Sequence, residues 1–167
     1  VGKVDKQLVD LIIEQQKPVL LVVNKWDLYA GDVERSEWAQ YLRDTFRTMP
    51  WAPIAFVTAK TGRNVKAAID TTQRLFRQSQ ARVPTAALNT MIHAATQATR
   101  PPSDRRGRPV RIYFATQVDT APPTIVLSTS SPESITAPYK RYLLSSLRKN
   151  APFTEAVSYT HLRAHET

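Results

Sequence analysis

Asn24, Lys25 and Asp27 stand together at the end of the apolar run Val19-Leu20-Leu21-Val22-Val23, and their types suit them to hold a heterocyclic base. The run is too short for a typical helix and predicts a strand buried on both faces, as in a parallel sheet. Ligands of open α/β sheets bind beyond the carboxyl ends of the strands, which places the three residues in the predicted site. Asp27 offers two acceptor oxygens on a short stem, a match for two adjacent N–H donors such as N1 and N2 of guanine. Adenine lacks that pair.

A second polar cluster, Thr58-Ala59-Lys60-Thr61-Gly62, closes another short apolar run, Ile54-Ala55-Phe56-Val57. Asn24-Lys25-Trp26-Asp27 resembles the N-K-x-D base-recognition motif of GTPases, and Thr58-Ala59-Lys60 resembles their S-A-K motif with Thr in place of Ser. Alone, the first motif also reads as a strand ending in an Asx turn. Both motifs together, each at a strand end and in the family's order, favour the GTPase resemblance. It implies that the Ala59 N–H donates to guanine O6, that the stems of Lys25 and Lys60 flank the base, and that Asn24 braces the loop. The cofactor-binding residues it implies are Asn24, Lys25, Asp27, Thr58, Ala59 and Lys60. The cofactor is GTP, with Mg²⁺ in the intact protein.

A third stretch, Arg100-Pro101-Pro102-Ser103-Asp104-Arg105-Arg106-Gly107-Arg108-Pro109, must be a loop. It is read equally as a solvated connector or as a phosphate-contacting loop, with Arg105, Arg106 and Arg108 as candidate RNA contacts. The net charge of +9 is shared by both halves of the chain and points to an anionic partner, RNA before membrane or acidic protein. The chain has no cysteine, which excludes a disulfide framework and thiolate chemistry and fits a cytoplasmic protein. No apolar run is long enough to predict a membrane span. His161 with His165, and Ser158 with His161, lack a third ligand or an orienting acid, so no metal or catalytic set is assigned. His93 is read as a surface histidine.

The elements that must position these residues follow from periodicity. Val4, Leu8, Leu11 and Ile12 predict an amphipathic helix packed on the sheet by that stripe. Trp38, Leu42, Phe46 and Met49 predict a second helix, and Val65, Ile69, Thr72 and Phe76 a third, with Asn64 as its N-cap. The three tryptophans are read as core or loop packing. Helix, strand, helix, strand, helix is the pattern of a parallel α/β sheet. Beyond Arg82 the pattern changes. Pro84 opens a helix carrying Leu88, Met91, Ile92 and Ala95 inward, and residues 110–117 and 124–127 predict a hairpin. A last helix runs over 138–150 with Tyr139, Leu143 and Leu147 on one side. This is a small α+β layer. The polar Ser128-Thr129-Ser130 predicts an early end to the second hairpin strand.

Val83-Pro84-Thr85-Ala86-Ala87-Leu88-Asn89, then Ile112-Tyr113-Phe114-Ala115-Thr116-Gln117 with Pro122-Pro123-Thr124, and Tyr139-Lys140-Arg141-Tyr142-Leu143 before Leu147-Arg148, resemble the C-terminal KH-like domain of the Der (EngA) double GTPases. Members of that bacterial family carry two tandem GTPase domains ahead of this domain and act in assembly of the large ribosomal subunit. The first half resembles the later part of their second GTPase domain. The resemblance thus implies an α/β fold class, a partial P-loop GTPase sheet over 1–82, followed by a KH-like domain over 83–156 that lacks its last strand. It also implies a GTPase, with guanine nucleotide and the 50S subunit or its rRNA as partners. A monomer is expected.

Three departures shape what carries over. No G-x-x-x-x-G-K-[ST] loop occurs, no D-x-x-G switch stands in the 23 residues before Asn24, and the first residue is Val1, so a truncated start and no GTP hydrolysis by this chain alone are expected. No G-x-x-G, the backbone clamp of ordinary KH domains, occurs. Residues 157–167 resemble translated adapter sequence and are read as a non-native tail. The alternative is a stand-alone RNA- or protein-binding module without nucleotide activity.

Overall fold

The apolar run before Asn24 forms a strand, and a helix lies on either side of it in sequence. A computed structural model of the chain describes all residues except Gln16, Ala30, Asp32, 153–154, 156–163 and 166–167, with only the backbone pairing at Ala164 and His165. The chain divides into two compact units, built mainly from Val1–Gln78 and from Ser79–Thr154.

The first unit runs α1 (Lys3–Glu14), β1 (Leu21–Val23), α2 (Arg35–Thr45), β2 (Ile54–Phe56) and α3 (Val65–Ser79). Strands β1 and β2 are parallel, with Leu21 opposite Ile54 and Val23 opposite Phe56. The core joins Val9 of α1 to Leu42, Phe46, Met49 and Ala52, with Ile13, Leu21, Val23 and Ile54 packed around them.

Three expected faces are corrected. In α1 it is Val9 that is buried, whereas Val4, Leu8 and Leu11 are 66%, 52% and 51% exposed. Val9 and Ile13 share one line of the helix, and that line meets the apolar face of α2. In α3, Leu75 and Ser79 are buried while Ile69 and Phe76 are exposed. The inner line there runs through the smaller residues Val65 and Ala68 to Leu75 and Ser79. Strand β1 is not buried on both faces, because Val22, on the opposite pleat from Leu21 and Val23, is exposed.

The second unit comprises α4 (Thr85–Ala98), β3 (Ile112–Asp119), β4 (Thr124–Thr129), α5 (Ala137–Asn150) and β5 (Ala164–His165). Strands β3 and β4 pair antiparallel, and β5 pairs parallel to β4 at Leu127 and Ser128. Where two strands were expected, this two-residue strand adds a third. The remainder of the tail read as non-native, with Ser158 and His161, lies outside the described residues. Leu88, Ile92 and Ala95 of α4, Leu143 and Leu147 of α5, and Ile125 and Leu127 of β4 are buried apolar residues of this unit. Strand β4 does not end early: Thr129 is buried and the Ser130 N–H donates to the Arg111 carbonyl at 2.9 Å.

Two side-chain amides hold this unit's edges. Gln117, 6% exposed, accepts from the Val83 N–H at 2.8 Å and donates to the Ala81 and Asp119 carbonyls, each at 3.0 Å. Asn89 donates to the Ala115 carbonyl at 2.8 Å and accepts from the Ala115 N–H at 2.9 Å. Each satisfies backbone groups that burial would otherwise leave unpaired. Neither role was visible in the apolar pattern. The Tyr139 and Tyr142 hydroxyls donate to the Thr99 and Ala95 carbonyls at 3.0 and 2.8 Å, closing the C-terminal end of α4.

Candidate functional site

The two strand ends that carry the polar clusters are stitched together beyond the strands themselves. The Val57 N–H donates to the Val23 carbonyl at 2.9 Å, and the Trp26 N–H donates to the Val57 carbonyl at 3.0 Å. Between them the chain turns at Lys25, whose φ of 60° and ψ of 34° are left-handed. For a residue with a Cβ that conformation costs about 1 kcal/mol. It starts the short 3₁₀ turn Trp26–Leu28, in which the Leu28 N–H donates to the Lys25 carbonyl.

Asn24 supplies what holds the turn. Its Oδ1 accepts from the Lys25 N–H at 2.8 Å and from the Ala59 N–H at 3.1 Å, a contact across 35 residues of chain. One oxygen therefore ties the first polar loop to the second. The Ala59 N–H is also the group that the GTPase resemblance assigns to guanine O6. With Asn24 already on it, a base must share or displace that bond.

Trp26 fixes the loop from beneath. It is 5% exposed and packs on Phe56 of β2, ring centroids 4.5 Å apart, and edge-on to Trp38 of α2 at 6.3 Å. Anchoring between Asn24 and Asp27 by a buried indole leaves Lys25 and Asp27 on the exposed side. Across from them Thr58 is buried, with its N–H on the Arg63 carbonyl at 3.0 Å, while Ala59 and Lys60 are exposed. Asn64 departs from the expected side-chain cap. Its carbonyl does open α3, accepting from the Ala68 N–H, but its φ is 62° and its Nδ2 donates to the Phe56 carbonyl at 3.0 Å. The amide thus ties the second loop to β2.

The arginine loop of the second unit is an organised turn. Asp104 Oδ1 accepts from the Arg106 and Arg108 N–H groups at 2.8 and 2.9 Å, and Oδ2 accepts from Arg108 Nε at 3.2 Å. The backbone closes with the Asp104 N–H on the Arg108 carbonyl at 2.7 Å, and Gly107 takes a φ of 76°. The Arg108 N–H bond, with help from Arg106 and the Arg108 guanidinium, holds the Asp104 carboxyl below its usual range. Arg105, Arg106 and Arg108 are exposed around this turn. Nearby, Glu133 is bonded to the Ser131 hydroxyl, which lowers its carboxyl, with a smaller contribution from the charge of Arg105. Asp104 was not singled out in the sequence; its partners two and four positions on, an Asx-turn spacing, are the signal that could have done so.

At these strand ends an exposed carboxylate, Asp27, and the backbone N–H of exposed Ala59 stand on the two loops that Asn24 joins. No G-x-x-x-x-G-K-[ST] string occurs in the chain's sequence, and no group of three metal-ligating side chains occurs among the described residues. No described helix is long and apolar enough to cross a membrane.

Residues 82–158 match the family model described as the KH-domain-like region of EngA bacterial GTPase enzymes, C-terminal. The chain is 48% identical to the GTPase Der of Rhodopirellula baltica over 154 residues, covering 92% of this chain and 34% of that protein. It is 38% identical to the GTPase Der of Rippkaea orientalis over 152 residues, and 34% identical to that of Thermomicrobium roseum over 152 residues, in each case 89% of this chain and 33% of the relative. It spans about a third of the length of the curated relatives it matches.

Proposed function

With the chain a member of the Der (EngA) GTPase family by similarity along nearly all its residues, we propose that it is the guanine-recognising and KH-like part of a GTP-binding, GTP-hydrolysing protein of large-subunit ribosome assembly. Residues 1–82 are read as the C-terminal half of a GTPase domain and 83–156 as the KH-like domain. The observation that carries the reading is Asn24 Oδ1 bridging the Lys25 and Ala59 N–H groups. That bond sets the N-K-x-D and T-A-K loops beside one another at adjacent ends of parallel strands. Asp27 takes the N1 and N2 donors of guanine, Ala59 donates to O6, Lys25 and Lys60 cover the faces of the ring, and Thr58 holds the second loop.

Base recognition alone is assigned to this chain, whose sequence carries no G-x-x-x-x-G-K-[ST] loop to hold a triphosphate and its Mg²⁺. GTP hydrolysis belongs to the proposed whole protein. RNA contact is assigned to Arg105, Arg106 and Arg108, held outward by the Asp104 turn.

Amide NMR of the ¹⁵N-labelled chain tests the base site. Guanosine monophosphate is expected to shift the Lys25, Asp27, Ala59 and Lys60 amides without Mg²⁺, and adenosine monophosphate to leave them in place. Equal responses to both nucleotides overturn the assignment. Salt-sensitive binding of an rRNA fragment tests the second half, and salt-independent binding refutes it.

A further inference from the structure

Beside the arginine loop lies a cleft of about 580 Å³ lined by Asp104, Arg108, Pro109, Arg111, Tyr113 and Ser130. It is built by an irregularity in the sheet. The β3–β4 register passes from Ile112 opposite Thr129 to Phe114 opposite Ser128, so Tyr113 is the extra residue of a bulge. Bulges re-aim side chains, and here the Tyr113 side chain lines the cleft with the residue 59% exposed. A large aromatic residue left that open at a basic cleft has a ring face to offer a ligand.

The polar groups around it are fixed. Arg111 is locked in register by its N–H on Ser130 Oγ at 2.9 Å and its carbonyl on the Ser130 N–H at 2.9 Å. Ser130 Oγ, used there as an acceptor, keeps its own proton to donate. The Arg108 side chain is held to Asp104 through Nε yet stays 68% exposed. The Asp104 carboxylate accepts from three donors within the loop, so its charge is committed there. The cleft therefore combines two guanidinium groups, a hydroxyl donor and an aromatic face in a volume suited to one nucleotide.

We propose that this cleft is a single-nucleotide site for single-stranded RNA, with Arg108 and Arg111 on the phosphate, Ser130 donating to the backbone, and the Tyr113 ring stacked on the base. The inference rests on the RNA reading above and adds to it a stacking residue and a preference for unpaired strands. Stacking needs a base splayed from its neighbours, which a duplex does not present. A phosphopeptide could use the arginines but has no base for Tyr113.

Fluorescence anisotropy of the full 167-residue chain with a labelled single-stranded RNA of roughly ten nucleotides, and with the corresponding blunt duplex, tests it. Tyr113→Leu is expected to weaken single-strand binding about tenfold and leave duplex binding unchanged, with Tyr113→Phe restoring the single-strand affinity. Arg111→Gln is expected to lower affinity for both and to reduce the salt slope by about one. If wild-type protein binds RNA and Arg105→Gln with Arg106→Gln weakens it, but Tyr113→Leu binds the single strand as wild type does, the cleft is refuted while the RNA reading stands. If wild-type protein binds neither RNA at low salt, the RNA reading fails and the cleft with it. A phosphotyrosine peptide that displaces the single strand as well as free RNA does also overturns the assignment.

Discussion

Removing the Asn24 side-chain oxygen should loosen two loops at once. In Asn24→Ala the Lys25 and Ala59 N–H groups lose their shared acceptor, from 2.8 and 3.1 Å. A typical intramolecular hydrogen bond contributes about 1 kcal/mol net, and both groups are exposed, so water replaces part of the loss. The expected cost is therefore about 1–2 kcal/mol to the first unit. The left-handed Lys25 adds to it, since the bond to its own N–H helps hold that conformation. Urea unfolding followed by tryptophan fluorescence is the assay. All three tryptophans, Trp26, Trp38 and Trp51, lie in the first unit, so the signal reports it alone. The midpoint should fall in Asn24→Ala and recover largely in Asn24→Asp, which keeps an acceptor at the same place. Hydrogen exchange should accelerate at Ala59 specifically. An unchanged midpoint with unchanged Ala59 exchange would refute the claim that one oxygen couples the two loops.

Asp27→Asn turns two acceptors into one acceptor and one donor, so preference should move from guanine toward xanthine. Competition of guanosine and xanthosine monophosphates for the Ala59 amide shift reads this, and retained guanine preference refutes it. Gln117→Leu leaves the buried Val83 N–H without its acceptor and frees the Ala81 and Asp119 carbonyls, which water reaches in part, so it should destabilise the second unit by about 2 kcal/mol. Its circular-dichroism unfolding transition should move, and a loss below that of an ordinary surface substitution counts against the network. Burial pushes the Tyr139 phenol up to about 12 from 10.0, with a smaller push from Tyr142. The folded state then holds its proton more tightly than the unfolded state, so this stabilisation is full below pH 10 and drains away as pH rises toward 12. Tyr139→Phe should flatten that alkaline limb of the unfolding profile; an identical limb in both proteins sinks the assignment.

The elements were largely legible because their signals are local. The run before Asn24 and the run before Thr58 are short, apolar and closed by polar residues, and both form strands. The expected helix ends sooner than its apolar spacing suggests: Leu42 lies on α2, whereas Phe46 and Met49 follow its last residue, Thr45, though all three are buried. Faces were less legible where apolar residues occur all round a helix. In α1, Val4, Leu8 and Leu11 make a stripe as regular as the one through Val9 and Ile13, and periodicity does not say which stripe meets α2. In α3 the larger residues Ile69 and Phe76 drew the face, yet the inner line is the one that runs through Ala68 and Leu75. Least legible were the amides. Gln117 reaches a partner 34 residues away and Asn89 one 26 residues away, and nothing in local spacing marks a polar side chain as the mate of a distant backbone group.

The proposed base-recognition loops can be perturbed from the sheet beneath them as well as at their own residues. Asn24 and Thr58 are each attached to a strand whose pairing continues through Val23, Trp26 and Val57, so the ladder that joins β1 to β2 also sets the spacing of the two loops. Trp26 then connects the same point to α2 through Trp38. A substitution in the core beneath, such as Phe56→Leu, removes the ring 4.5 Å from Trp26 while leaving every proposed base-contacting group in place. It should nonetheless weaken guanine binding, because the position of Asp27 relative to Ala59 depends on the indole between Asn24 and Asp27 staying seated. The geometry of the proposed site is in this sense a property of the two-stranded sheet's end, and on that reading the packing residue in the middle of the motif should support recognition without touching the base.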